Sequence, residues 1–170
     1  LVPLNNKFQK KNKKKSNQPF FSLETAIAGE SVTSKINRLI KIMKKKKIDY
    51  NFISSGENIC WLLNIRGKDL PNSPIANCKM ILTKDKKIYF FSNQDKLKKI
   101  KLSLRKLKIY FLKENNILDC LNNLKIGNFS IDSKTCSVFE ESLINCKFKV
   151  VEKEDPIYFL KSLKNKTEIN

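Results

Sequence analysis

Residues 61–74 read Trp-Leu-Leu-Asn-Ile-Arg-Gly-Lys-Asp-Leu-Pro-Asn-Ser-Pro, and this motif segment constrains the fold more than any other part of the chain. Apolar residues run directly into polar and charged ones and then into two prolines, an order that neither helical nor strand periodicity produces. We expect Trp61 to be a large apolar anchor whose indole N–H needs an acceptor. Pro71 and Pro74 should hold the stretch that follows them extended and stiff.

The polar residues of the motif segment have separate predicted roles. Asn64 can bond the backbone of a turn through its amide, and Gly67 permits either a positive φ or a close backbone approach. Arg66 carries a five-donor guanidinium that could clamp Asp69 or a neighbouring carboxylate. Two interpretations therefore stay open: a loop stapled to itself by Arg66 and Asp69, or a loop whose Arg66 faces a neighbouring domain.

The formal net charge of +19 favours a polyanion as partner, and residues 7–15 are dense in lysine. However, only three of the 35 basic residues are arginine, the better fork for phosphate. Lysine, asparagine, isoleucine and phenylalanine are abundant together, as expected from an AT-rich genome. We attribute the charge to this bias, which disfavours nucleic acid as a partner, and keep a polyanion (RNA or DNA)-binding module as the alternative.

Several classes of active site are excluded by what the chain lacks. It has no histidine, so neither a Ser-His nor a Cys-His nucleophile can form. Its five cysteines are widely spaced without a Cys-x-x-Cys pair, which argues against a zinc site. No apolar run reaches the roughly 18–20 residues of a membrane span. We expect no catalytic residue, no metal ligand and no membrane contact within this chain.

Helical and strand patterns alternate along the chain, which predicts an α/β fold. Two apolar runs flank the polar residues 84–87 and predict a hairpin, and the continuous run Ile109–Leu112 predicts a strand covered on both faces. Asp155 and Pro156 predict the start of a helix. The predicted strands are 50–54, 80–83, 88–91, 109–112, 129–132 and 148–151. The first predicted helix follows a cap at Ser31 or Thr33. The other predicted helices cover 59–62, 97–104, 117–124, 136–144 and 156 onward.

The motif segment resembles the middle domain of Xaa-Pro aminopeptidases (aminopeptidase P), where the pattern Trp-Leu-x-Asn-x-Arg-Gly-x-Asp-x-Pro-x-x-Pro recurs. The likeness runs from about Ala28 to Asn170, and residues 163–169 are similar to the hinge that enters the catalytic domain of that family. The resemblance implies a mixed β-sheet flanked by helices, of the creatinase/prolidase amino-terminal type with a ribonuclease H-like motif. It places Arg66 and the proline-containing loop either in a structural role or at the substrate entrance.

The resemblance also implies a domain division and a function. Residues 1–27 are expected to be a basic interdomain linker, 28–155 the creatinase-type α/β domain, and 156–170 a hinge helix toward a catalytic domain missing from the chain. Leu1 in place of Met leads us to expect a piece of a longer polypeptide. This piece would be the non-catalytic middle domain of a cytoplasmic enzyme that hydrolyses amino-terminal Xaa-Pro bonds.

Cofactors and partners are implied in the same way. The family's catalytic domain has a pita-bread fold and binds two divalent metals, commonly manganese, through Asp, His and Glu ligands, none of which can be placed on this chain. The expected partners are the catalytic domain of the same polypeptide, the peptide substrate of the whole enzyme, and a second copy in a homodimer. A catalytically dead relative acting as an interaction domain is a further alternative.

Overall fold

A six-stranded mixed β-sheet forms the centre of the computed structural model, which describes residues 18–169. The strands are β1 (Phe21–Ser22), β2 (Tyr50–Ile53), β3 (Ile65–Arg66), β4 (Lys79–Thr83), β5 (Ile88–Phe91), β6 (Ile109–Leu112), β7 (Asn128–Ile131) and β8 (Lys149–Glu152). The helices are α1 (Thr25–Ala28), α2 (Val32–Lys45), α3 (Gly56–Leu62), α4 (Lys98–Ser103), α5 (Ile117–Asn123), α6 (Val138–Asn145), α7 (Pro156–Ser162) and α8 (Lys166–Ile169). The predicted α/β class is confirmed.

The order of the strands in the sheet is β6-β5-β4-β2-β7-β8. β4 pairs antiparallel with both β2 and β5, whereas the other neighbours pair in parallel, so β4 runs against the other five strands. The hairpin of β4 and β5 is the one predicted from the two apolar runs. β1 and β3 form a separate antiparallel ribbon.

Both faces of the sheet are buried, because alternate residues of the central strands belong to two different cores. Ile53 and Met80 pack in the core beneath α2, α3, α4 and α7, while their neighbours Phe52 and Ile81 pack in the core beneath α5 and α6. This alternation follows from the two-residue period of a strand. A sheet buried on both faces explains why these strands read as continuous apolar runs.

Side-chain caps begin helices α2 and α7, as predicted. Ser31 accepts a hydrogen bond from the backbone N–H of Ser34 at the start of α2. Asp155 caps α7 by accepting from the N–H of Ile157, and Pro156 occupies the first turn. Lysines close α2, where cations suit the negative end of the helix dipole.

Two apolar segments leave large side chains exposed. Ile109–Leu112 is the edge strand β6 rather than the predicted strand covered on both faces, and Tyr110 is 42% exposed. Continuous apolar sequence also occurs at an edge when one face packs on the core and the next element covers the other only partly. In α6, Phe139 is 67% exposed, because the helix instead buries Glu140 and Ile144.

The two ends of the described region differ in part from the predicted division. Phe20 is fully buried and residues 21–22 form β1, so the fold begins before residue 28, while residues 1–17 of the predicted linker lie outside the described part. From Pro156 onward the chain forms two short helices, α7 and α8, rather than one. Within residues 18–169, no helix combines the length and the apolar character needed to cross a bilayer.

A pair of phenylalanines tests this assignment of core and surface. Phe129 is fully buried, with its ring 5.3 Å from Tyr50 and 4.9 Å from Phe148 between centroids. Phe129→Ala should lower the free energy of unfolding by about 3–5 kcal/mol in urea denaturation. The matched control, Phe139→Ala, should change it by no more than about 0.5 kcal/mol. Equal losses from the two variants would contradict the placement of α6.

Candidate functional site

The motif segment passes through three kinds of structure. Trp61 lies near the end of α3, Ile65–Arg66 form β3, and the chain then leaves the ribbon as a loop that returns to the start of β4. Two buried lysines outside the motif segment, Lys35 and Lys96, hold its first and second halves. The geometry of the candidate site is therefore set by these ammonium groups.

Lys35 of α2 is the centre of the first half. Its Nζ donates to the carbonyl oxygen of Trp61 at 2.9 Å and to Oδ1 of Asn64 at 2.8 Å. The same ammonium lies 4.2 Å from the centroid of the Trp61 ring, which is close enough for a cation–π interaction. Burial lowers the pKa of Lys35, while the nearby carboxylate of Glu30 acts in the opposite direction.

Asn64 joins three parts of the chain. Its Nδ2 donates to the carbonyl of Glu30 at 2.9 Å, and its own backbone carbonyl accepts from the N–H of Leu23 at 2.7 Å. The residue has a φ of 52°, a left-handed conformation that asparagine tolerates better than most side chains. The Asn64 side chain thus bonds the backbone through its Nδ2 and holds the buried Lys35 through its Oδ1.

Arg66 and Asp69 do not pair with each other, so the predicted staple is wrong. Nη1 of Arg66 donates to the carbonyls of Cys60 at 3.2 Å and Ile65 at 2.8 Å, which closes the end of α3. An arginine can satisfy unpaired carbonyls at a helix end in this way. Arg66 is only partly buried, so its role at a substrate entrance stays a prediction.

Asp69 instead forms a buried ion pair with Lys96, and the two side chains are 6% and 8% exposed. Its second oxygen accepts the backbone N–H of Asn77 at 2.7 Å. The Lys96 ammonium also lies 5.8 Å from the ring centroid of Phe20, and its backbone carbonyl accepts the N–H of Phe20 at 2.9 Å. One ion pair thus fixes the motif loop, the start of β4 and the N-terminal strand together.

Gly67 serves close approach rather than a positive φ. A Cβ at this position would lie 2.7 Å from the Cα of Ala76, a distance that real side chains do not adopt. Gly56 also packs against Ala76, because a Cβ added at Gly56 would lie 2.6 Å from the carbonyl oxygen of Ala76. Two glycines therefore let the segment before β4 pack directly on α3 and β3.

Pro71 lies in a reverse turn, and the stretch that follows Pro74 is neither helix nor strand until β4 begins. Pro71 and Asn72 are the central residues of a turn bridged by Leu70 and Ser73, and Asn72 has a φ of 60°. Proline followed by a left-handed residue is the signature of a type II turn. The carbonyl of Pro74 accepts the N–H of Gly67 at 3.2 Å, so the loop folds back on itself.

A polar cleft of about 570 Å³ opens beside this loop. Asp69 and Lys96 form part of its wall, and Leu70, Lys113 and Glu114 surround the opening. These side chains can contact polar or charged groups of a neighbour. They include no activated nucleophile and no general base within reach of one.

The acids and the cysteines of residues 18–169 are the remaining candidates for chemistry. Among residues 18–169, no three Cys, Asp or Glu side chains are grouped so that they could hold a metal ion, so a dinuclear centre does not fit them. Burial raises the pKa of the Cys60 and Cys78 thiols, which favours the unreactive protonated form. It also raises the pKa of Cys120 to about 12.

Lys35 and Lys96 are the residues of the site that the sequence analysis missed. A signal for Lys35 exists, since it lies three residues after Val32 and one before Ile36, within the apolar stripe of α2. A lysine at such a position must find buried acceptors. Lys96 has no comparable signal, because it lies in a short 3-10 turn, Gln94–Lys96, without periodicity.

Comparison with known proteins places this geometry in a family. A family model described as Creatinase/Prolidase N-terminal domain matches residues 11–168. Xaa-Pro aminopeptidase 1 of Dictyostelium discoideum is 29% identical over 152 residues, covering 88% of this chain and 24% of that protein. A probable Xaa-Pro aminopeptidase P of Laccaria bicolor is 26% identical over 156 residues, covering 88% and 24%. The chain thus spans about a quarter of the length of these relatives.

Solved structures share the fold. An X-prolyl aminopeptidase from Caenorhabditis elegans, described as a cytosolic enzyme with a di-nuclear active site, matches with a TM-score of 0.78 and 21% identity. That match covers 89% of this chain and 26% of the enzyme. The prolidase from Pyrococcus furiosus matches with a TM-score of 0.53 and 20% identity, covering 76% and 36%. The predicted creatinase/prolidase type of fold is confirmed.

The buried ion pair provides a direct test of what holds the loop. Asp69→Ala leaves the Lys96 ammonium buried without its carboxylate and should lower the free energy of unfolding by about 3–5 kcal/mol in urea denaturation. The exposed pair of Lys134 and Glu154, with side chains 75% and 65% exposed, is the control. Glu154→Ala should cost less than about 1 kcal/mol. A small loss from Asp69→Ala would show that the loop does not depend on this pair.

Proposed function

We propose, from the premise that the chain belongs to the creatinase/prolidase N-terminal domain family, that it is the non-catalytic middle domain of a Xaa-Pro aminopeptidase. The coverage of the relatives supports this assignment, since the match takes in most of this chain and about a quarter of proteins named as Xaa-Pro aminopeptidases. The predicted resemblance to that family is confirmed. The longer polypeptide would cleave the amino-terminal Xaa-Pro bond of peptides.

One observation carries the proposed role: the motif segment is a rigid, internally bonded surface without reactive groups. Lys35 and Lys96 fix its two halves, and the type II turn around Pro71 projects beside the polar cleft. Leu70, at the edge of that turn, is half-exposed in this chain. Such a surface suits contact with a neighbouring domain or with the peptide entering it, because rigid elements keep a site in register better than mobile ones.

The proposal places the catalytic groups in the remainder of the longer polypeptide. Two divalent metals, with manganese as the expected ion, would be held there, because the described acids and cysteines do not form a ligand group. The polypeptide would consist of a basic linker, an α/β domain that already includes Phe20, and a hinge from Pro156 toward the catalytic domain. A cytoplasmic location and pairing of two copies complete the proposal.

Peptidase assays test the assignment. The 170-residue chain should not hydrolyse an Xaa-Pro peptide with manganese present, whereas the longer polypeptide should release the first residue. The matched control substrate has alanine in place of proline and should be cleaved far more slowly. Failure of the longer polypeptide to cleave Xaa-Pro peptides would favour the catalytically dead alternative, and activity of the chain by itself would overturn the proposed division of labour.

The role of Arg66 can be separated into structure and substrate contact. In the longer enzyme, Arg66→Ala should lower Tm, because the carbonyls of Cys60 and Ile65 lose their donor. The kcat/KM of the folded enzyme should change by less than about threefold, a difference of under 1 kcal/mol. Lys68→Ala, an exposed change on the same loop, is the control and should leave both unaltered. A large selective loss of kcat/KM would instead place Arg66 in contact with substrate.

A further inference from the structure

Charge is distributed unevenly between the two ends of the sheet. Because β4 runs against the other strands, the starts of β2, β5, β6, β7 and β8 meet at one edge, together with the end of β4. The chain reaches this edge through residues 44–49, 84–87, 105–108, 125–127 and 147–149. These five segments are called the basic edge.

The basic edge holds thirteen basic residues and two acids, Asp49 and Asp85. Residues 18–169 contain 29 basic and 16 acidic residues in all. The rest of the described chain is therefore close to neutral, and the basic edge carries most of the net charge. A genome bias toward lysine adds cations to every exposed face, but it does not remove carboxylates from one edge while leaving fourteen elsewhere.

The cations of the basic edge form a row across the whole sheet. Six strands spaced about 4.8 Å apart extend this row over about 24 Å. Most of its lysines are exposed, and within residues 18–169 one of them, Lys84, forms an ion pair, with Asp49 at 2.7 Å. The Lys147 ammonium donates to the carbonyls of Leu121 and Asn122 at the end of α5, so it is already hydrogen-bonded within the fold. The remaining positive charge faces solvent.

A groove of about 580 Å³ continues this row along the outer face of α2. Hydroxyl, amide and ammonium groups line it, contributed by Thr33, Ser34, Asn37, Lys41, Lys44 and Lys86. Lysine, serine, threonine and asparagine are the side chains that commonly contact phosphate and sugar oxygens of nucleic acids. Lys86 belongs to the β4–β5 turn, so the groove is joined to the basic edge.

We infer that the basic edge and its groove bind the phosphate backbone of a nucleic acid without reading its sequence. A duplex carries one phosphate charge per about 1.7 Å, so a row of about 24 Å faces a stretch with about 14 phosphates. Lysines act as point charges toward phosphate and need no bidentate geometry. This surface is independent of the proposed peptidase function, because it lies at the opposite end of the sheet from the motif loop.

A nucleic acid fits this surface better than a membrane or an acidic protein. Binding in a membrane interface requires an apolar face beside the lysines, and the basic edge offers Ile126 as its large exposed apolar side chain. Protein interfaces place aromatic and apolar residues at their centre, whereas eight of the nine described residues that line the groove have polar or charged side chains. An extended row of cations matches a polymer of regularly spaced anions.

Fluorescence anisotropy with labelled 20-base-pair DNA and RNA duplexes tests the inference on the full chain, over about 50–200 mM salt. The variant Lys41→Gln, Lys44→Gln, Lys86→Gln removes three charges from the groove. Lys98→Gln, Lys99→Gln, Lys153→Gln removes three exposed charges from the other end of the sheet and is the matched control. A third variant, Lys41→Arg, Lys44→Arg, Lys86→Arg, keeps the charge of the groove. Circular dichroism verifies that each variant is folded.

The groove variant should bind more weakly at every salt concentration, and the slope of log Kobs against log salt should fall in magnitude by about 2.7. The control and the arginine variant should keep the slope of the original chain. Equal losses from groove and control variants would show that net charge alone drives binding. An unchanged groove variant would place binding elsewhere, including residues 7–15. Absence of binding near 150 mM salt, or tighter binding to poly-glutamate or anionic vesicles, would also overturn the inference.

Discussion

The buried ammonium of Lys35 determines how the first half of the motif segment is built. A charged lysine inside a protein is costly unless acceptors replace the water that it loses. Two oxygens and the face of an indole surround Lys35, so the carbonyl and ring of Trp61 and the amide of Asn64 all serve one cation. The motif segment therefore supplies the acceptors and the aromatic ring, and α2 supplies the cation that they surround.

A second buried lysine, Lys96, holds the second half of the motif segment. Lys96 and Asp69 neutralise each other below the surface, and Asp69 also holds the backbone N–H of Asn77. Arg66 donates to the carbonyl of Cys60 near the end of α3 and to that of Ile65 in β3. Arg66, Asp69 and Lys96 thus all find partners within the fold, and these bonds hold the shape of the loop.

The sequence predicted what depends on local pattern and missed what depends on distant partners. The caps at Ser31 and Asp155 and the β4–β5 hairpin follow from neighbouring residues, and the structure has all of them. The predicted Arg66–Asp69 pair is wrong because Asp69 pairs with Lys96, which lies 27 residues further along the chain. The prediction that both faces of β6 are covered is wrong for a similar reason. The place of a strand in the sheet depends on pairing between segments that are distant in sequence, and β6 is at the edge.

The two candidate surfaces occupy opposite ends of the sheet, as its topology requires. The polar cleft is lined by residues that follow the ends of β5 and β6, including Ser92 and Lys113. The basic edge lies where those same strands begin, so the length of the sheet separates the two surfaces. At about 3.3 Å per residue, a four-residue strand keeps them more than about 10 Å apart, which exceeds the screening length at physiological salt of about 8 Å. Salt therefore screens much of the interaction between a polyanion at one edge and a peptide or a catalytic domain at the other.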